Sequence, residues 1–296
     1  MNAPAYTIAP APVVLPLRHG LALLYAFSLV IGLLVAVASI AGLLFGSRLY
    51  PTEALRRELI GTDVAALALG LPALLLSLWL AWRGRLIGLL CWPGALFFVL
   101  YLYLIYLFAL PFGPAFALDL GLVALSLYTL LDLVAAIDGD AVRQRLAGAV
   151  FERLAALSLA GQGQLILAWV FLVLGGVLAG VLAATPVGMA NHYVDVLIAP
   201  AWIIGGLMLW LRRPLGYAAG LGLLLQGSLF ILAAIVIVLV QAALAGASIA
   251  RLNLLLIVAG ALVCFIPFGL FARGVLARSA PPSLRPPAAS PVRATR

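Results

Sequence analysis

Residues 86–110 read LIGLLCWPGALFFVLYLYLIYLFAL and contain no charged side chain. A helix needs about 20 such residues to cross the roughly 30 Å hydrocarbon core of a bilayer. The rest of the chain has the same character, because 66% of its 296 residues are hydrophobic, 9% are charged and the mean hydropathy is +1.26. The apolar stretches lack the period-2 alternation of barrel strands. The sequence therefore predicts an all-α polytopic membrane protein, since lipid admits only helices or closed barrels.

Seven further apolar stretches accompany this one. Together they predict eight transmembrane helices, at 20–46, 64–82, 86–110, 115–136, 165–187, 194–211, 215–244 and 252–272. The first could alternatively be a cleaved signal peptide, because Arg18 precedes it and residues 36–38 imitate a cleavage site. Its apolar run continues well past that site, which favours an uncleaved helix.

The arginines indicate how the helices are oriented. All 17 basic residues are arginine, and thirteen of them lie on the side of the predicted helices that holds the N-terminus. Short loops rich in arginine stay in the cytoplasm, so we expect both termini to be cytoplasmic in a cell inner membrane, with the lipid bilayer as partner. The formal net charge of +8 does not indicate nucleic-acid binding. The arginines lie in short loops and the C-terminal tail rather than on one basic face.

An internal repeat is found when the chain is shifted against itself by 128 residues. The shift aligns, without a gap, Pro72 with Pro200, Trp82 with Trp210, Arg85 with Arg213, Gly88 with Gly216 and Gly94 with Gly222. It predicts two tandem four-helix halves, which share one orientation because four is even. The predicted organisation is a disordered tail (1–17), a first half (18–136), a linker (137–164), a second half (165–274) and a disordered cationic tail (275–296).

The linker over 137–164 has its own pattern. Apolar residues recur at three- to four-residue spacing with arginines between them, at Val142, Leu146, Val150, Leu154 and Leu157. This pattern predicts an amphipathic helix on the inner membrane surface. Such a helix is either a lipid-sensing or docking element or, as we favour, a plain connector between the halves.

The first half contains the run Arg83-Gly84-Arg85-Leu86-Ile87-Gly88, followed by Trp92-Pro93-Gly94 and by Tyr101, Tyr103 and Tyr106. This pattern resembles a family of uncharacterised bacterial multi-pass inner-membrane proteins. The resemblance extends over most of residues 20–245 and implies no assigned activity, cofactor or catalytic residue. Members often carry Asn within the tyrosine run where this chain has Leu102, which argues against a polar role for the stretch here.

Acidic residues are the candidates for chemistry, because ionisable groups in a bilayer are costly. Asp63 opens the second predicted helix, Asp195 opens the sixth, and Asp119 lies one turn into the fourth. With His192 they could converge at the outer mouth as a cation or metal site, since imidazole and carboxylate are ligands of zinc and manganese. Alternatively they mark helix N-termini in water, where the helix dipole favours Asp. A single histidine without a second at metal-ligand spacing favours this alternative, and no cofactor is predicted.

Two prolines are candidates for helix kinks. Pro72 and Pro200 lie within predicted spans, where each frees a backbone carbonyl, and paired kinks could frame a central cavity. Shape matching in a packed bundle is the alternative, and we favour it. The sequence contains no phosphate-binding loop, nucleophile elbow or H-E-x-x-H motif, so no catalytic residue is assigned.

The sequence leaves three functions open. A transporter or binder of an apolar or amphipathic small molecule predicts a cavity between the halves; with no acid expected at mid-membrane, an ion-driven version is weakened. A non-catalytic scaffold or sensor predicts a closed bundle and a protein partner. A membrane-embedded enzyme or outer-face cation site predicts that the three aspartates and His192 lie close together.

Overall fold

The computed structural model of the protein describes residues 15–245 and 251–279. Its helices are α1 (Ala22–Leu49), α2 (Glu53–Ala65), α3 (Leu71–Trp82), α4 (Leu86–Ala109), α5 (Pro114–Ala136), α6 (Gly139–Leu146), α7 (Glu152–Leu178), α8 (Pro186–Trp210), α9 (Pro214–Ala245) and α10 (Arg251–Ser279). A π-helical turn, Ala66–Gly70, joins α2 to α3. Within the described ranges, extended backbone pairs only in an isolated bridge between Leu17 and Ile137.

Eight helical segments of the described chain are long and apolar enough to cross a membrane, with α2 and α3 together forming one of them. The all-α polytopic fold class predicted from hydropathy is confirmed. The predicted tails over 1–17 and 275–296 lie largely outside the described residues.

The second and sixth spans begin earlier than hydropathy predicts. α2 begins at Glu53 because the Thr52 hydroxyl caps it, accepting a hydrogen bond from the Leu55 amide at 3.2 Å. α8 begins at Pro186, a residue well suited to a first helical turn, and the Thr185 hydroxyl caps it. Both starts are polar, so a hydropathy criterion assigns them to loops.

These earlier starts correct the predicted depth of two aspartates. Asp63 and Asp195 do not open their helices but follow the first helical residues by ten and nine positions. At 1.5 Å per residue they lie roughly 15 Å and 13 Å along the helix axes. Acids therefore do occur deep within two spans, contrary to the expectation from the sequence.

The segment over 137–164 is not one amphipathic surface helix. It contains the short helix α6, a turn at Gly148 with φ of +72°, and the first turns of α7. Val142 and Leu146 are fully buried, and α6 packs against α9 and α10. The predicted apolar stripe exists, but part of it covers other helices rather than lipid.

The same turn occurs twice, 128 residues apart. After α3, the amide of Gly84 donates to Ala81 O and that of Arg85 to Leu80 O; after α8, the amides of Arg212 and Arg213 donate to Leu209 O and Met208 O. Gly84 and Arg212 both have positive φ, 71° and 53°. Arg212 lacks the conformational freedom of glycine, and its guanidinium Nε is held by the Glu152 carboxylate at 2.8 Å.

Helices α4 and α9 form the centre of the bundle. α4 is buried along almost its whole length and packs against α3, α5, α8 and α9. Its Gly94 lies directly on Gly222 of α9, so that a Cβ at Gly94 would overlap the Gly222 carbonyl oxygen. Small residues of this kind allow two helix backbones to approach closely in a membrane.

The two candidate kink prolines face outwards. Pro72 follows the π-helical turn at the start of α3, and Pro200 lies inside α8. Both side chains are exposed, and neither lines the cavities described below. A proline and a π-helical turn are both causes of helix bending, but these prolines do not frame a cavity.

The central contact predicts the effect of one added methyl group. Gly94→Ala should lower the thermal unfolding temperature of the purified protein, because relief of the overlap with Gly222 costs roughly 1–3 kcal/mol. Gly121→Ala is the matched control, since a Cβ at that exposed position of α5 meets no atom within 4 Å. Circular dichroism in detergent measures both variants. Equal melting temperatures for the two would contradict a tight α4–α9 contact.

Candidate functional site

The larger of two cavities has a volume of about 670 Å³ and lies between α2 and α4 on one side and α8 and α9 on the other. Apolar side chains form much of its wall, including Leu102, Ile105, Phe230, Ala233, Ile237 and Val238. Polar side chains gather on α2 and α8 and on the residue that caps α8, and these are Arg57, Glu58, Thr62, Thr185, Asn191, His192 and Asp195. The cavity thus combines an apolar body with a one-sided polar rim.

Asp195 is half-buried in the wall of this cavity. The Tyr101 hydroxyl donates a hydrogen bond to Asp195 Oδ1 at 3.1 Å, while Oδ2 has no partner among the described residues. Glu58 accepts a hydrogen bond from the Thr185 hydroxyl at 3.0 Å. His192 Nδ1 is buried and unpartnered within the described part of the chain. Asp195 Oδ2 and the His192 ring are therefore available to a bound molecule.

Aromatic rings continue from this cavity into the protein. Phe230 packs edge-on against Tyr101, with ring centroids 5.2 Å apart, and against Trp202 at 6.0 Å. The indole nitrogen of Trp202 and both amide atoms of Gln226 are buried, with no hydrogen-bond partner in residues 15–245 and 251–279. Unpartnered polar groups at such depth are unusual in native proteins.

The smaller cavity has a volume of about 250 Å³ and lies on the other side of α2 and α4. Its wall holds Asp63, which is 2% exposed. The Tyr50 hydroxyl donates to Asp63 Oδ2 at 2.6 Å, and the Tyr106 hydroxyl donates to Oδ1 at 2.8 Å. Gly42 of α1 leaves room for this carboxylate, because a Cβ there would overlap it.

The phenols that bind Asp63 remain hydrogen-bond donors. Burial, reinforced by the neighbouring Asp63 carboxylate, raises the pKa of the Tyr50 phenol well above its ordinary value. The Tyr103 hydroxyl lies beside that of Ser39 at 3.1 Å, and the ring stacks on Tyr106 with centroids 5.5 Å apart. The tyrosines of α4 therefore form a polar lining for an otherwise apolar helix.

Asp119 of α5 is the second acid of the smaller cavity. Its side chain is 5% exposed, and it has no hydrogen bond or ion pair with any described residue. No arginine or histidine of the described chain lines this cavity. Asp119 is thus buried and faces the cavity without a partner.

The four residues predicted to converge are divided between the two cavities. Asp63 and Asp119 line the smaller one, whereas His192 and Asp195 line the larger one. The division arises on α2, where Thr62 faces the larger cavity and its neighbour Asp63 the smaller, since successive residues of a helix point about 100° apart. Among the described residues, no three His, Cys, Asp or Glu side chains are grouped as a metal site.

The tyrosines of α4 were the functional residues that sequence reasoning missed. Tyr101 faces the larger cavity, while Tyr103 and Tyr106 face the smaller one. The available signal was three phenol hydroxyls within six residues of a fully apolar helix, where each hydroxyl needs a partner. Their partners, Asp63 and Asp195, are distant in sequence and therefore could not be identified from spacing.

The double hydrogen bond to Asp63 predicts the effect of removing one hydroxyl. Tyr106→Phe should destabilise the protein by roughly 1–3 kcal/mol, because Asp63 Oδ1 loses its donor in a buried site. Tyr128→Phe on α5 is the control, since its ring is 53% exposed. Thermal unfolding followed by tryptophan fluorescence compares the two variants. A loss in Tyr128→Phe as large as that in Tyr106→Phe would contradict the proposed hydrogen-bond network.

Comparisons with known proteins leave the argument with the residues themselves. No protein-family model, curated protein or solved structure matches this chain.

Proposed function

We propose that the protein transports an amphipathic small molecule, which it binds in the larger cavity. The observation that carries the proposal is the volume of about 670 Å³ between α2, α4, α8 and α9. Small-molecule sites are typically clefts of roughly 300–1,000 Å³ with mostly apolar walls and a few placed polar groups. A scaffold needs no such cavity, and an enzyme built on all four predicted residues would require them to share one site.

The arrangement of the helices supports transport rather than binding alone. We infer that α1–α5 and α7–α10 are two copies of an internal repeat. The turns after α3 and α8 have the same hydrogen bonds, and Gly94 contacts its counterpart Gly222. Transporters built from repeats bind their substrates where the repeats meet, and one repeat moves against the other.

The charge of the cavity favours a positively charged head group. Asp195 has a free carboxylate oxygen, and its neighbour Tyr101 donates to the other one. Arg57, the one arginine of the described chain that lines this cavity, is 68% exposed and is paired with Glu53 at 3.0 Å. A cation bound inside would meet a carboxylate in a partly desolvated site, where ion pairs are stronger than in water.

Tetraphenylphosphonium tests this proposal, because it combines an apolar body with a positive charge. We expect saturable binding in equilibrium dialysis against empty detergent micelles. Binding should weaken at least tenfold in Asp195→Asn, which corresponds to about 1.4 kcal/mol. Reconstituted vesicles should accumulate the cation faster than protein-free vesicles.

Two controls accompany this test. Tetraphenylborate has nearly the same size and apolar surface with a negative charge, and it should bind weakly. Asp132→Asn removes an acid of α5 that pairs with His19 at 3.6 Å rather than lining either cavity, and it should bind like the wild type. Equal binding of both ions, or equal losses in the two Asn variants, would overturn the proposed recognition.

We also propose that the protein resides in a bacterial inner membrane with both termini in the cytoplasm. The unequal distribution of arginine supports this orientation. Trp79 and Trp210 support it as interfacial anchors, since Arg83 lies 4.7 Å above the Trp79 ring and Arg153 lies 5.8 Å from that of Trp210. The mouth of the larger cavity, near Glu58, then faces outwards.

Cysteine labelling in intact bacterial cells tests the orientation. Gly113→Cys lies in the exposed connection between α4 and α5 and should react with a membrane-impermeant maleimide. Asp140→Cys, at the exposed start of α6, should react only after permeabilisation. The wild type is the control, because Cys91 and Cys264 are buried. The reverse labelling pattern would invert the proposed topology.

A further inference from the structure

The smaller cavity contains two buried acids in different states of satisfaction. Both oxygens of Asp63 accept hydrogen bonds from phenols, at 2.6 Å from Tyr50 and 2.8 Å from Tyr106. Donors of this kind stabilise a charged carboxylate. Asp119 faces the same cavity at 5% exposure, and no described residue donates a hydrogen bond to it or pairs with it.

The side chains around this cavity supply no positive charge. The titratable groups that line it are Tyr50 after α1, Asp63 on α2, Tyr103 and Tyr106 on α4, and Asp119 on α5. Arg56, two turns before Asp63 on α2, is held by Glu53 through two hydrogen bonds of 2.7 Å. The two acids therefore have to be neutralised by something that enters the cavity, because an unpaired buried charge is very costly.

We propose that Asp63 and Asp119 form a proton-binding site. In this site the Asp119 carboxylate takes a proton from water and becomes a neutral carboxyl group, while Asp63 stays ionised between its two phenols. One O–H bond forms on Asp119, and no bond within the protein breaks. Two carboxylates that repel each other across a shared space commonly retain a single proton in this way.

A proton fits the cavity better than a metal ion does. Sodium, magnesium and calcium ions require about six or more oxygen ligands. The remaining wall consists of Ala38, Ala41, Leu49, Leu110, Ala115 and Leu118, whose side chains offer none. The phenol hydroxyls of Tyr50 and Tyr106 already direct their protons at Asp63, so they are poorly placed as metal ligands.

The site lies where a proton can enter from one end of the bundle. Leu49 and Tyr50 mark the end of α1, Leu110 marks the end of α4, and Ala115 lies at the start of α5. These residues belong to the cavity wall and to the same end of the bundle. A proton can thus reach Asp119 without passing the central contact at Gly94.

The proton site shares two helices with the substrate cavity. Thr62 and Asp63 are neighbours on α2 but face different cavities, and Tyr101 and Tyr103 are divided in the same way on α4. A change of charge at Asp119 therefore acts on helices that also form the substrate site. This coupling, unlike the proton site itself, rests on the proposed transport function.

Infrared spectroscopy detects a protonated carboxyl directly through its C=O stretch, which shifts in D₂O. We expect the full-length protein at pH 7 to show this band, because an exposed aspartate, with a pKa of about 4, is ionised at this pH. Asp119→Asn should abolish the band. Asp119→Glu, which keeps a carboxyl in case the Asn variant folds poorly, should retain it at a shifted frequency. Asp195→Asn and Asp132→Asn should leave it unchanged.

Several results would overturn the proton site. The band could be absent from the wild type, persist in a folded Asp119→Asn variant, or disappear in Asp195→Asn instead. A band that is present in choline chloride but lost on addition of sodium or magnesium chloride would assign the site to a metal ion. Tetraphenylphosphonium binding should change less than twofold in Asp119→Asn, so a failure of the substrate proposal is seen separately from a failure of this one.

Discussion

The van der Waals contact between the backbones of α4 and α9 positions the other helices of this bundle. Lipid provides no hydrophobic force between helices, so close packing has to supply the association energy, and glycine allows the closest approach. Gly94 and Gly222 meet at this contact, and α4 is consequently buried along almost its whole length. With α4 surrounded by protein, its side chains no longer have to be compatible with lipid. The tyrosine hydroxyls are tolerated for this reason.

The buried position of α4 also explains why the bundle has two separate polar regions. Tyr101 reaches Asp195 on one side of the helix, and Tyr106 reaches Asp63 on the other. Each phenol offers one donor to a carboxylate that would otherwise be unsatisfied in a medium without water. The helix that separates the cavities thus also supplies hydrogen-bond donors to both of them.

Hydropathy was enough to predict the fold class and the number of spans, because a 20-residue apolar run in lipid has few alternatives to a helix. It misplaced the starts of α2 and α8, since their first turns are polar and are stabilised by the Thr52 and Thr185 caps rather than by lipid. The depth of Asp63 and Asp195 was misjudged for the same reason. Contacts between helices, such as Tyr106 with Asp63, depend on tertiary packing, which no spacing in the sequence reveals.

The two halves differ where their chemistry differs. A shift of 128 residues carries the tyrosines at 101, 103 and 106 onto Leu229, Ile231 and Ala234, and it carries Asp63 onto Asn191. The second half therefore has no equivalent of the phenol-bound carboxylate, although its turn after α8 repeats the turn after α3. A duplicated frame with one-sided polar groups gives the halves unequal tasks. The first half holds the buried acid pair, and the second contributes the acid that faces the larger cavity.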